Sequence, residues 1–189
     1  MSYVPVGGAG GGAWTAIETV TISNQATVEM DLSGSHKMYQ LHIDNLVPAT
    51  DDVFLFLRFS IDGGSTFLSG ASDYSWGLAG NGAGAGSLVD GDTADTEITL
   101  SRDFDPGTLG NGSTESYNGW INIHNANQTV NAVCVSSNVG MLDKDAELAG
   151  FTNQGGLIAN INEVDAIQLL ASSGNLTSGR VTLYGLGLS

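Results

Sequence analysis

Cysteine is nearly absent from this chain, with one residue, Cys134, in 189. An internal disulfide framework is therefore excluded, and stability must come from burial and from association between subunits. Within Val133-Cys134-Val135 the thiol reads as a small buried hydrophobe in an apolar strand rather than as a nucleophile. Positive charge is almost as scarce: five Lys and Arg stand against 20 Asp and Glu, a formal net charge of −15. Affinity for a phosphate backbone comes from Lys and Arg that displace counterions, so no nucleic acid is expected as a partner. The same charge repels anionic membranes, and no apolar run approaches the ~20 residues that span a bilayer, so no membrane partner is expected. Met1-Ser2-Tyr3-Val4-Pro5-Val6-Gly7-Gly8 lacks the basic start and apolar stretch of a signal peptide, which predicts synthesis in a cytoplasm without export.

Catalytic signatures are missing as well. The three histidines, His36, His42 and His124, form no metal-ligand spacing with one another or with Cys134. There is no Gly-x-Ser-x-Gly elbow, no P-loop and no Gly-x-Gly-x-x-Gly before a helix; Gly82-Ala83-Gly84-Ala85-Gly86 reads as linker. The expectation is a protein that is not an enzyme and uses no cofactor or metal.

What is present is glycine and sheet-forming sequence. Hydrophobic residues make up 41% of the chain, which suffices for a core, while 27 glycines and only 13% charged residues point to many turns and a surface of Ser, Thr, Asn and Gly. Strand signals follow one another from Trp14: 15–22, 27–32 and 38–44, the last with Tyr39, Leu41 and Ile43 on one face and Gln40 and His42 on the other. Val53 to Ile61 is apolar on both parities and predicts a central strand covered on both faces. Further strands are expected at 66–68, 74–78, 96–101, 120–124, 130–136 and 156–161. No segment holds apolar residues at helical spacing over three turns, though 146–151 and 162–166 each have room for one turn. The fold class is all-β, and roughly ten strands at this spacing predict a two-sheet β-sandwich of jelly-roll type in a single domain. Residues 1–13 read as a flexible Gly-rich N-terminal arm and 14–189 as the sandwich domain. Two stretches rich in Gly, Asp, Asn and Ser, 80–96 and 103–119, read as long irregular loops placed at an exposed end or against a partner.

Ser60-Ile61-Asp62-Gly63-Gly64-Ser65-Thr66-Phe67 has the spacing of an Asp-box, Ser-x-Asp-x-Gly-x-Thr-Trp, with Phe67 at the aromatic position. Sialidase-like propellers carry several such boxes, whereas this chain has one. The motif's physics is that of a turn: Asp62 bonds back to local N–H groups and the glycines accept positive φ. Asp90-Gly91-Asp92-Thr93-Ala94-Asp95-Thr96-Glu97 has the alternating oxygens of a calcium loop but lacks the glycine and bidentate glutamate of an EF-hand, so it reads as a solvated acidic loop. Tyr74, Trp76, Tyr117 and Trp120 are the candidate contact residues, for a glycan or for another subunit, provided they share an exposed face; aromatics beside strand signals also serve as core.

The C-terminal run supplies the most specific pattern. Ile167 and Leu169, then Val181 and Leu183, alternate with polar or small neighbours, and Ser173-Gly174-Asn175 and Ser178-Gly179 carry turn chemistry between them, which predicts a hairpin with Val181, Leu183 and Leu186 buried. Arg180, one of so few cations, is expected to meet a carboxylate. The sequence Ser173-Gly174-Asn175-x-x-Ser178-Gly179, followed by Leu183-Tyr184-Gly185-Leu186, resembles the end of many small tailed-bacteriophage virion proteins. Asp62-Gly63-Gly64-x-Thr66-Phe67 after a Phe-rich strand is similar to a stretch in the same group. The resemblance implies a virion structural protein, made in the host cytoplasm, of tail, tail-fibre or capsid-decoration type. It further implies a homo-oligomer, a trimer being the expected form, with other virion proteins as partners. The alternative is a carbohydrate-binding module or fibre tip that recognises a host surface glycan.

Overall fold

The computed structural model describes residues 12–32, 34, 36, 38–83, 86–101, 108–157 and 163–187. Among them are twelve β-strands and no helix. In order these are β1 (Trp14–Gln25), β2 (Thr27–Asp31), β3 (Met38–Pro48), β4 (Leu55–Ser60), β5 (Tyr74–Gly82), β6 (Gly86–Asp95), β7 (Ile98–Thr99), β8 (Ser116–His124), β9 (Cys134–Leu142), β10 (Leu148–Leu157), β11 (Ala166–Ala171) and β12 (Leu176–Leu186). They form an eight-stranded sheet in the order β1-β12-β3-β8-β9-β10-β5-β6 and a four-stranded sheet in the order β2-β11-β4-β7. Every paired strand is antiparallel.

Period-two alternation builds the core. Leu41, Ile43, Ile121, Ile123, Val181 and Leu183 from the large sheet meet Met30, Leu57, Phe59, Ile167 and Leu169 from the small one in a single apolar cluster. The Tyr74 hydroxyl ties the layers together: it accepts from the Phe59 backbone N–H at 2.8 Å and donates to the Leu68 carbonyl at 3.0 Å. At the β7 border of the small sheet, Ile98 and the nearby Leu100 and Leu109 are buried in the same core, and the Asn153 side chain of β10 donates to the Thr99 carbonyl.

Several sequence expectations change. The final segment is no hairpin: β11 lies in the small sheet, and β12 crosses to the large one between β1 and β3. Turn chemistry at Ser173-Gly174-Asn175 serves a sheet-to-sheet crossing equally well, with Gly174 at φ +73°. Val181 and Leu183 are fully buried, but Leu186 is half-buried, since only the start of β1 lies beside it. Arg180 does meet a carboxylate, Asp44 on the neighbouring strand, at 2.8 Å. Cys134 is exposed rather than buried, because Val133 and Val135 take the inward parity around it. The expected loop at 80–96 is largely β6, an edge strand hairpinned onto β5; backbone pairing needs no apolar alternation, so the acidic, glycine-rich sequence hid it. Of the second expected loop, residues 103–107 lie outside the described residues, Leu109 bridges Val53 and Asp143, and Ser116 already begins β8. Residues 148–151 belong to β10 rather than to a helical turn. β4 alternates instead of being buried on both faces: Leu55, Leu57 and Phe59 point inward, while Phe54 and Phe56 are half-buried and pack on each other, ring centroids 6.2 Å apart. The Gly-rich arm, apart from Gly12 and Ala13, lies outside the described residues.

The Asp-box forms the turn its residues dictate. Asp62 Oδ1 accepts from the Thr66 N–H and Oδ2 from the Thr66 hydroxyl, the Ser60 hydroxyl donates to Oδ1, and Gly63 and Gly64 sit at φ +70° and +77°. These bonds, led by those from Thr66, hold the Asp62 carboxyl below its ordinary value.

Candidate functional site on the outer face of the large sheet

The four candidate aromatics do not share a surface. Tyr74 and Tyr117 are fully buried and Trp76 nearly so, each on the inward parity of its strand. Burial raises both phenols above the ordinary tyrosine value, because the ionised form would lose its hydration. The Trp76 indole N–H donates to Asp95 at 2.8 Å. These three are core groups, and a contact role for them is withdrawn on geometry: their parity aims them between the sheets. Trp120 stands apart at 44% exposure, on the outward parity of β8 between Ile121 and the glycine at 119.

Strand register shows what surrounds Trp120. His42 on β3 lies directly opposite it on one side and Asn138 on β9 on the other. Beyond His42 lies Thr182 on β12, whose hydroxyl is 3.2 Å from that of Thr19 on β1. The His42 ring packs on Tyr184, centroids 4.9 Å apart and planes tilted by 54°. Trp120, His42 and Tyr184 thus form a diagonal aromatic strip over three strands, about 10 Å long at ~4.8 Å per strand spacing.

Beside the strip runs a hydrogen-bonded row. Gln40 Nε2 donates to Asn122 Oδ1 at 2.7 Å, Asn122 Nδ2 donates to the Ser136 hydroxyl at 3.4 Å, and Gln40 Oε1 lies 2.7 Å from His42 Nε2. Outward positions on β9, β10 and β5 continue in the same chemistry with Asn138, Thr152, Gln154, Ser75 and Asn81, separated by the glycines 140, 150 and 77, and give way to Cys134, Leu142 and the exposed Leu148 at the ends of β9 and β10. Across the six strands from β12 to β5, the outward-facing Asp, Glu, Lys and Arg are Asp44 and Arg180, and these two are bonded to each other. The small sheet differs: its outer side carries Glu29 and Asp31, both exposed, and the Arg58–Glu97 pair at 2.8 Å.

Toward the far edge the same face dips into an open cleft of about 630 Å³, floored by Gly77, Gly155 and Gly156 and walled by Val89 and Cys134. The acidic run 90–97 is engaged structurally: Asp95 accepts from Trp76 and from the Thr96 N–H, Asp92 from the Ala94 N–H, and Glu97 pairs with Arg58. Among the described residues, no group of three or more His, Cys, Asp and Glu side chains is placed to hold a metal ion. Sequence alone singled out Trp120 but missed Gln40, Asn122, Asn138 and Tyr184, because only long-range register places them side by side.

No protein-family model matches the chain, and no curated protein or solved structure matches it.

Proposed function

We propose that the chain is a non-enzymatic structural protein of a tailed-bacteriophage virion, placed on the particle exterior and acting through homo-oligomeric, trimeric assembly. The observation that carries this reading is the edge strand β1. It runs for 12 residues at the border of the large sheet, pairs on one side with β12, and leaves Trp14 and Ile17 at 41% and 42% exposure. Among the described residues, no strand pairs its other side. A long edge with unpaired backbone groups and exposed apolar side chains invites strand addition, and a stable protein covers it with a partner.

Strand order supports the same reading. The half-sheet β1-β12-β3-β8 opposes β2-β11-β4-β7, and with β5-β6 and β9-β10 read as insertions the remaining eight strands connect as two Greek keys, the jelly-roll plan used by viral capsid and lectin domains. The motif resembling virion proteins supplies β12, an interior strand of that plan, and the Asp-box supplies the turn that ends β4, so both serve the scaffold. Association then follows from edge pairing, either with a capsid surface, as in decoration, or within a tail or fibre.

Two measurements test it. Sedimentation of the purified chain should give a species of three times the 19.4 kDa chain mass. Gold-labelled antibody against the chain should decorate intact particles at the head or the tail. A monomer at high micromolar concentration, or label confined to free protein, refutes the proposal.

A further inference from the structure

The outer face of the large sheet is electrically unlike the rest of the molecule. The chain carries a net charge of −15, yet the outward positions from β12 to β5 hold one ion pair, Arg180–Asp44; amides, hydroxyls, small residues and rings fill the middle of the face, and the apolar Met38, Val47, Leu142, Leu148 and Leu186 stand toward the strand ends. From this face we infer a binding site for an uncharged polysaccharide, laid across the strands with sugar rings on Trp120 and Tyr184 and their hydroxyls on the amide row.

Each part of that assignment rests on a separate observation. Trp120 offers a flat apolar surface, open to solvent at 44% exposure, on which the C–H face of a sugar ring can stack. Tyr184, held against His42 at 4.9 Å, continues the platform along the diagonal. The strip's length of ~10 Å fits a short stretch of oligosaccharide rather than a single ring. Gln40 and Asn122 are fixed by their mutual bond at 2.7 Å, and Asn122 is held further by Ser136, so their remaining amide donors and acceptors are pre-oriented. Pre-orientation lowers the ordering cost of binding.

The charge pattern selects the occupant. Nucleic acid and anionic polysaccharide require free cations, and Arg180, the face's one cation, is already held by Asp44 at 2.8 Å. A second copy docked face to face is disfavoured too: protein interfaces centre on several clustered aromatic and aliphatic anchors, whereas among the described residues of β12, β3, β8 and β9 Trp120 is the one exposed large apolar side chain, and the next, Leu148, stands at the far end of β10. An uncharged polyol matches both the missing charge and the dense hydrogen-bonding groups, and displaces water from neutral groups that desolvate at much lower cost than ions. Trp120, the centre of this site, lies on β8, three strands in from the β1 edge, and the assignment does not depend on the assembly role.

The test uses the full chain on an array of immobilised bacterial surface polysaccharides, uncharged and anionic. The parent should be retained by one or more uncharged polysaccharides. Trp120→Ala should weaken that binding at least about tenfold, a change of ~1.4 kcal/mol, and Asn138→Ala should weaken it by a smaller factor. Gln168→Ala, on the outer side of the small sheet, should bind as the parent does. Circular dichroism and melting temperature confirm that each variant folds; if Trp120→Ala does not, Asn138→Ala and Tyr184→Ala carry the test. Retention by no uncharged polysaccharide, preference for the anionic ones, or parental binding by the variants overturns the site. If Trp120→Ala instead lowers the sedimenting mass, the face is a subunit contact and the site is likewise overturned, while the assembly reading stands.

Discussion

Two glycine-to-alanine substitutions in the same sheet should have opposite effects. Gly179 lies in β12 at φ +125°, where the register between β12 and β3 shifts, and faces the β3 bulge at Asn45, itself at φ +50°. A Cβ on Gly179 would stand 2.7 Å from Leu46 Cα and 2.8 Å from the Asn45 carbonyl oxygen. Both obstacles are backbone and cannot rotate away, so the strands must separate or the bulge must unwind. Holding an L-residue in that backbone region costs ~1–3 kcal/mol, and relieving the overlap another ~1–3 kcal/mol. The sum, roughly 2–6 kcal/mol, is a large part of an ordinary domain stability of ~5–15 kcal/mol. At ~2–4 °C per kcal/mol for a chain of this size, Gly179→Ala should lower the melting temperature by roughly 5–20 °C. Gly140, on the outer face of β9, has nothing within 4 Å of its would-be Cβ and no positive φ. Gly140→Ala should be neutral or raise stability by ~0.4–1 kcal/mol through a less disordered unfolded chain. Differential scanning calorimetry of the two variants beside the parent decides it. If Gly179→Ala melts within ~2 °C of Gly140→Ala, the bulge is not the packed junction described above and the reasoning from close approach fails.

Tyr74→Phe should cost ~1–3 kcal/mol in urea denaturation, because the Phe59 N–H is left buried without its acceptor. Tyr117→Phe should cost well under 1 kcal/mol, since that hydroxyl reaches only the Leu100 carbonyl at 3.5 Å; equal costs would contradict the hydrogen-bond assignment. For Asp62, whose carboxyl is held below its ordinary value of 3.8 chiefly by the Thr66 side chain, the stabilisation is complete above that value and disappears as pH falls through the lowered one. Asp62→Asn should therefore lower the melting temperature at pH 7, with the gap to the parent closing on acidification below 3.8; a gap independent of pH would show that the turn does not depend on the ionised carboxylate.

Features encoded within a few residues were readable from the sequence. Tyr39, Leu41 and Ile43 take the inward side of β3 because alternation alone decides it, and the Ser60–Phe67 turn closes through bonds among its own side chains. Features that depend on distant pairing were not readable. Nothing local says that β12 inserts between β1 and β3 rather than folding back on β11, since either arrangement buries Val181 and Leu183. β6 was invisible because an edge strand in the run Gly86 to Asp95 is held by its backbone. Cys134 was misplaced because three apolar residues in a row leave parity undecided until the pairing with His124 and Gly156 fixes it. Of the proposed site, Trp120 was visible as an aromatic, but the contrast between a neutral outer face and a charged remainder emerges only when six strands lie in register.

The neighbours of β12 also govern when this protein can form. Thr19 and Thr182 meet across a sequence separation of 163 residues, and β1 finds its strand partner in β12, the last of the twelve to leave the ribosome. Until then β1 has no sheet to join, and both borders of the gap that β12 will fill lie open. Such non-local pairing makes folding slow, because the loop must close before any contact rewards it. A nascent chain therefore carries exposed apolar strand edges through most of its synthesis, the condition under which chaperones and neighbouring copies compete for the same backbone. Translation rate and chaperone supply, rather than the finished fold's stability, should set the yield of active protein.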